Sequence, residues 1–283
     1  MILNTNNNDI IATEVLESAK QVLAESGWVL LRNFELNLTS FSQVMKQLCR
    51  QLTFDPAREY SNDSTQKVNA GTAAVGLHIE NGNTPLPPDL IAFYSEKSAI
   101  KGSQTTVCDG SDIYQHMSEQ LRTLFSKPII ASRTLPSTLW RQYVADQHPA
   151  ISNINQVNES HLQDLNTLAA DQQAIVNSDD SLTYHLTINP CIKGAFSDNL
   201  AFANAILGPS FNYQAPKVVL SNGEEVSEQL KQELTLLAEQ FTHEVNWQDG
   251  DLVLIDNKRV MHGRREIHGD LSQRQLYIGM GCL

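Results

Sequence analysis

Apolar residues recur at helical spacing over residues 13–25 (TEVLESAKQVLAE), and Ser26 and Gly27 follow as a stop signal. Glycine just past a helix takes the left-handed conformation that ends it. WVLLRNF (28–34) is short and almost continuously apolar, which predicts a buried strand. Residues 40–52 (SFSQVMKQLCRQL) return to the helical period. DLIAFYSE (89–96) and QTTVCDG (104–110) predict strands. SDIYQHMSEQLRTLF (111–125) predicts a helix with Ser111 or Asp112 as its cap. SEQLKQELTLLAEQFTHEV (227–245) has the strongest helical period, with Leu230, Leu234, Leu237 and Phe241 on one face. GDLVLIDN (250–257) and RQLYIGMG (274–281) predict two further strands.

The stretch from about 128 to 215 is mixed. PIIASRTL and SLTYHLTI predict strands, LQDLNTLAADQQAIV and DNLAFANAIL predict helices, and Asn, Ser and Pro are frequent between them. Long connections with structure of their own often serve as lids or binding loops. No internal repeat and no low-complexity linker divides the chain. The pattern predicts a single domain over 1–283, with helices around a β core and a lid or insert at about 128–215.

Composition narrows the function classes. The 283 residues are 41% hydrophobic and 18% charged, enough for a sizeable core. The net charge of −12 argues against nucleic acid and against anionic membranes, both of which select basic surfaces. Cys49, Cys108, Cys191 and Cys282 are far apart and form no CxxC, so neither a cysteine zinc site nor a disulfide framework is expected. No basic, apolar leader opens the chain, and no apolar run reaches membrane-spanning length. A cytoplasmic protein is expected.

The candidate chemistry begins in GLHIENGNTPLPPDL (76–90), where His78 and Glu80 stand two apart. On a strand, residues i and i+2 face the same way. Two histidines and one carboxylate can hold non-heme Fe(II) on one face and leave positions open. A second histidine is then needed. His116, His161 and His243 lie in helix-like segments, and His148 precedes a proline in a loop. His185 sits in a predicted strand. His262 follows GDLVLIDNKRVM, just beyond a buried-looking strand, and His268 is close by. From these residues alone, His262, His268 and His185 all stay open.

Three segments taken together resemble the taurine dioxygenase and clavaminate synthase superfamily of Fe(II)/2-oxoglutarate-dependent oxygenases. LHIENGNTPLPPDLIAFY resembles its His-x-Asp/Glu strand and the Pro-rich turn that follows. KGSQTTVCDGSDIY resembles its Gly-Gly-x-Thr-x-x-x-Asp stretch. WQDGDLVLIDNKRVMHGRREIHGDLSQRQLYI resembles its Gly-Asp strand, Asp-Asn turn, distal histidine and downstream arginine. The likeness covers about residues 76–114 and 247–278, and no motif covers the middle of the chain.

By this resemblance the fold is a double-stranded β-helix, a cupin-like jelly roll that is mainly β with surrounding helices. The resemblance implies His78, Glu80 and His262 as iron ligands and catalytic residues. It implies Thr105 and Arg274 as holders of the distal carboxylate of 2-oxoglutarate. Arginine suits that task because a guanidinium meets a carboxylate through two parallel hydrogen bonds. His268 has no arginine at the matching distance. The implied cofactors are Fe(II), 2-oxoglutarate and O2, with succinate and CO2 as co-products and hydroxylation, desaturation or cyclisation of the substrate as outcomes. Asn81, Asn83 and Arg264 are candidate substrate contacts, and Trp140, Arg141 and Tyr143 candidate lid contacts.

The chain departs from the family pattern in three places. Gly102 and Ser103 stand where the pattern has Gly-Gly. Glu80 replaces the commoner Asp, which resembles the clavaminate synthase and amino-acid hydroxylase branch and implies an amino acid, small peptide or related specialised metabolite as substrate. Ile278 stands where many relatives carry a second arginine, so a sulfonate substrate is not expected. Two alternatives are a cupin-like metalloenzyme that does not use 2-oxoglutarate and a non-catalytic binding protein on the same fold.

Overall fold

The computed structural model describes residues 1–5, 9–69, 71–148, 150–151, 153–168, 172–208 and 214–283, with the backbone alone at 166–168. Two sheets face each other as a jelly roll. The larger runs Ile2–Asn4, Trp28–Arg32, Leu252–Asp256, Leu90–Lys97, Gln275–Cys282 and Gln51–Leu52, with Gln66–Lys67 also paired to Gln275–Cys282. The smaller runs Thr242–Val245, Thr105–Asp109, Val260–Arg264 and Val75–His78. Every pair is antiparallel except Ile2–Asn4 with Trp28–Arg32.

Central strands of the larger sheet are buried on both faces, which is why they read as continuous apolar runs. Leu252 and Leu254 pack outward with Leu90, Ala92 and Tyr94 against the helices Thr13–Ser26 and Leu38–Leu48. Val253 and Ile255 point inward with Ile91, Phe93 and Ile278 to meet Val107, Val245 and Val260 of the smaller sheet. The outer face of the smaller sheet, through Cys108 and Met261, is covered by a second apolar cluster that includes Ile113, Leu234 and Ala238 of its helices.

A third sheet of four strands comes from the mixed stretch, in the order Gln172–Val176, Leu182–Ile188, Ile129–Leu135, Lys217–Val219. It carries its own apolar cluster, built on Trp140, Val144, Val157, Leu162, Leu165 and Leu182. Trp140 is 1% exposed and donates its indole N–H to the Asp180 carbonyl at 2.9 Å.

Several local expectations yield to tertiary pairing. The helix predicted over 227–245 ends as Glu228–Glu239, and Thr242–Val245 is a strand paired with Thr105–Asp109. Its β-branched Thr242 and Val245 suit that pleated position. The helix predicted over 111–125 breaks into Gly110–His116 and Glu119–Phe125. Asp109, rather than Ser111 or Asp112, caps the first half, and Ser118 caps the second. DNLAFANAIL contains a strand, Leu200–Phe202, paired with Cys191–Lys193, not a helix. LQDLNTLAADQQAIV divides between the helix Glu159–Leu168 and the strand Gln172–Val176, and its residues 169–171 lie outside the described residues. The helix predicted over 40–52 is Leu38–Leu48, followed by the strand Gln51–Leu52. Among the described residues, no helix is long and apolar enough to cross a membrane. All four cysteines are free.

Candidate metal centre

Antiparallel register brings the two histidines together. His262 lies within Val260–Arg264 directly opposite His78 on Val75–His78, and their ring centres are 4.4 Å apart. His262 is thus in a strand, not in a turn beyond one. Nor does Glu80 share the strand of His78, which ends at His78. It sits in the turn that follows, where Asn81 adopts a left-handed φ of 54°. Asn257 holds this turn: its Oδ1 accepts the Glu80 N–H at 2.8 Å, and its Nδ2 donates to the carbonyls of Glu80 and Pro88.

The ligand atoms of His78, Glu80 and His262 all lie within 4.8 Å of one another. Nε2 of His262 is 3.2 Å from Glu80 Oε2, and Nε2 of His78 is 3.9 Å from it. His78 Nδ1 donates to the Gly76 carbonyl at 2.8 Å, which leaves the Nε2 lone pair facing the site. A Cβ at Gly208 would stand 2.4 Å from that carbonyl oxygen and 2.8 Å from His78 Nδ1, so only glycine fits beside this bond. Phe93 packs on the other ring, its centre 5.2 Å from that of His262.

Electrostatics prepare His78 and Glu80 to bind a cation. Burial pushes the His78 imidazole down to about 4, with His262 adding to the push, so it is neutral at pH 7. Burial would raise the Glu80 carboxyl, but Arg58 and the two histidines outweigh it and hold the group well below the usual carboxylate range. Arg58 Nη2 donates to Glu80 Oε1 at 2.8 Å, while its Nε stands 3.4 Å from Asp55. Glu80 therefore presents one oxygen to the histidines and the other to Arg58. Two imidazole nitrogens and one carboxylate oxygen converge, a donor set that fits Fe(II) with open positions.

The same cleft contains Thr105 and Arg274. Arg274 donates to Ser103 Oγ at 2.7 Å and to the Val68 carbonyl at 2.9 Å, and no carboxylate pairs with it among the described residues. Burial, with Arg264 nearby, pushes its guanidinium down to about 10. Such a cation is stabilised by an anion that enters with it. Ser103, at the departure from Gly-Gly, adopts a φ of 69° beside Gly102 at 76°, so both positions use the left-handed region where glycine is favoured. Thr105, 4% exposed, accepts the Trp247 indole N–H at 3.1 Å.

Other candidates have different settings. Asn81 and Asn83 line the cleft, and the Asn83 carbonyl accepts the Tyr184 hydroxyl at 2.7 Å. Arg264 also lines it and donates to the carbonyls of Gly71 and Ala73. Tyr143 accepts the Leu86 N–H at 3.2 Å, and Arg141 pairs with Asp180. Trp140 and Tyr143 line the cleft, whereas Arg141 does not contribute among the described residues. His268 sits on a two-stranded ribbon opposite Lys101, and His185 is exposed and bonded to Ser132. Neither joins the cluster. Arg58, Asn257, Trp247 and Phe93 escape the sequence reading, because each is remote in the chain from what it touches.

The cleft encloses about 160 Å³, room for a small ligand group. Comparison with known proteins places the chain among oxygenases. The chain is 22% identical over 291 residues to the dapdiamide synthesis protein DdaC of Enterobacter agglomerans, covering 91% of this chain and 84% of that protein. A taurine dioxygenase from Burkholderia xenovorans superposes with a TM-score of 0.65 at 13% identity, covering 99% of this chain and 85% of that one. PvcB from Pseudomonas aeruginosa superposes with a TM-score of 0.61 at 11% identity, over 99% and 84% of the two chains. PvcB is described as an Fe, alpha-ketoglutarate dependent oxygenase from an isonitrile synthetic pathway. The model of the taurine catabolism dioxygenase TauD, TfdA family matches residues 4–280, and the chain belongs to that family of Fe(II)/2-oxoglutarate-dependent dioxygenases.

Proposed function

We propose that this dioxygenase acts on an amino acid, a small peptide or a related specialised metabolite, and that His78, Glu80 and His262 hold its iron. The observation that carries the ligand assignment is the register of His262 against His78, with Glu80 clamped beside both. Bound Fe(II), with 2-oxoglutarate and O2, supplies the oxidising chemistry, and succinate and CO2 are the co-products. The chain's own residues bind and orient. Arg274 takes the distal carboxylate of 2-oxoglutarate, with Thr105 beside it. Arg58 keeps Glu80 ionised, and the Gly76 carbonyl keeps the His78 Nε2 free of a proton. Asn81, Asn83 and Arg264 line the space left for substrate.

The substrate reading is supported by Glu80 in place of Asp, and by biosynthetic relatives, one from dapdiamide synthesis and one from an isonitrile pathway. Ile278, where a sulfonate-binding arginine would stand, is 1% exposed in the apolar layer between the sheets. We read the chain as one domain whose third sheet is the lid and whose location is the cytoplasm. A cupin-like enzyme independent of 2-oxoglutarate would have no use for an Arg274 that faces the cleft with no carboxylate partner among the described residues. The experiment is anaerobic addition of Fe(II) with and without 2-oxoglutarate. A weak visible charge-transfer band is expected only with both. In Arg274→Ala, iron binding persists and the 2-oxoglutarate affinity falls about ten- to a hundred-fold. Unchanged 2-oxoglutarate affinity in that variant removes Arg274 from the site.

A further inference from the structure

A charged residue stands on the apolar side of the third sheet. Side chains alternate along Ile129–Leu135, so Ile129, Ala131, Arg133 and Leu135 share one side. Ile129 and Ala131 are buried, and Arg133 and Leu135 line the cleft. The cross-strand partner of Arg133 is Tyr184, which is 4% exposed. The guanidinium carbon lies 5.6 Å from the Tyr184 ring centre. That ring is fixed in turn, because its hydroxyl donates to the Asn83 carbonyl. A guanidinium resting on a fixed ring keeps its orientation with little further loss of freedom.

The charge around the cleft gives this arginine a purpose. In a chain of net charge −12, the described charged residues lining the cleft are four arginines, 58, 133, 264 and 274, against two carboxylates, Asp55 and Glu80. Arg58 is engaged with both carboxylates. The two positive charges of Fe(II) and the two negative charges of 2-oxoglutarate cancel. Among the described residues, the cleft therefore keeps a cationic excess once its cofactors are in place. The third-sheet side of the cleft is largely apolar, with Leu135, Trp140, Leu162 and Leu182 in its lining beside Tyr184 and Gln172, and in such surroundings a charge attracts an opposite one more strongly than in water. Beside Glu80, the Asn81 Nδ2 is buried with no acceptor among the described residues, so it offers a second donor to whatever enters.

We propose that Arg133 anchors a carboxylate of the substrate, which is therefore a small amino-acid-derived acid that also presents an acceptor to Asn81. The proposal rests on the function proposed above and narrows its substrate class. It also places the anion contact on the third sheet and not at Ile278 of the larger sheet.

The test uses the full chain loaded with Zn(II) and N-oxalylglycine, inert stand-ins for iron and 2-oxoglutarate. Matched pairs of N-acetyl-L-amino acids and their primary amides are the probes, read by ligand-observed saturation-transfer NMR. Acids are expected to bind about ten- to a hundred-fold more tightly than the amides of the same shape. Arg133→Gln removes that difference, and Arg133→Lys retains part of it. Three results overturn the proposal: acids and amides bind wild type equally, no acid binds at millimolar concentration, or the preference survives Arg133→Gln. A matched aminosulfonate that binds more tightly than the acid overturns the carboxylate assignment. N-oxalylglycine binding in the wild-type samples is the separate check, since its absence brings down the proposed function itself. Melting temperature and N-oxalylglycine binding of both variants establish that they fold.

Discussion

The two walls of the cleft are built on opposite plans. On the jelly-roll wall, polar side chains are fixed by strand register and by one another. His78 faces His262 across a ladder, Glu80 is gripped by Asn257 and Arg58, and Arg274 by Ser103 and the Val68 carbonyl. On the third-sheet wall, side chains are held mainly by apolar packing around Trp140, in a cluster separate from the core between the two jelly-roll sheets. The difference teaches where change is tolerated. Buried hydrogen-bonded charges must all be satisfied together, whereas apolar packing accepts exchanges of similar volume. One wall can keep its chemistry while the other is reshaped around a new substrate.

The largest expected effect lies on the first wall. His262→Ala or His78→Ala abolishes Fe(II) binding and turnover while the fold persists. Equilibrium dialysis and succinate release read both, and full activity in either variant breaks the assignment of that wall. Next comes Trp140→Ala, which empties the centre of the third-sheet cluster and costs about 3–5 kcal/mol. Thermal unfolding and limited proteolysis are expected to register that loss while Fe(II) still binds. Loss of the iron site along with the cluster would mean that the two walls are one unit.

Arg58→Met sharpens the comparison further. With its cation gone, Glu80 is left with burial as the main influence, which raises its pKa and favours the proton over the metal. Fe(II) affinity is expected to fall about ten- to a hundred-fold, as for other groups that support metal ligands. Unchanged affinity would leave Asn257 as the sole support of Glu80. The smallest effect is Ser103→Gly. It removes a left-handed φ of 69° from a non-glycine residue, a relief of about 1 kcal/mol. It also removes the hydroxyl that accepts from Arg274, which offsets that relief, so melting temperature stays nearly unchanged while 2-oxoglutarate affinity drops about three-fold.

Legibility in the sequence followed the same divide. The runs WVLLR and LVLID read as buried strands because both of their faces are covered. His78, Glu80, His262, Thr105 and Arg274 were reachable through the resemblance to a known family, and the structure brings all five to one cleft. FTHEV was misread as helix because its apolar residues satisfy the helical period carried by the preceding turns, while its partner Thr105–Asp109 lies far away in the chain. Arg58 gave no local signal: an arginine in a loop looks like any surface arginine until a carboxylate 22 residues later folds onto it. Arg133 sits within a predicted strand, yet nothing local says which face of that strand meets the cleft.

The sequence pointed by itself to the central strands and, through its resemblance to a known family, to a donor set and a cosubstrate site. The strands depend on short-range period and the resemblance on short motifs, both of which are written locally. Only the tertiary structure decided that His262 stands opposite His78, that Arg58 grips Glu80, and that Arg133 turns its charge into an apolar wall. Each is a contact between residues remote in the chain. Its energy comes from strand register and burial, and a local pattern carries no record of either until the strands have paired.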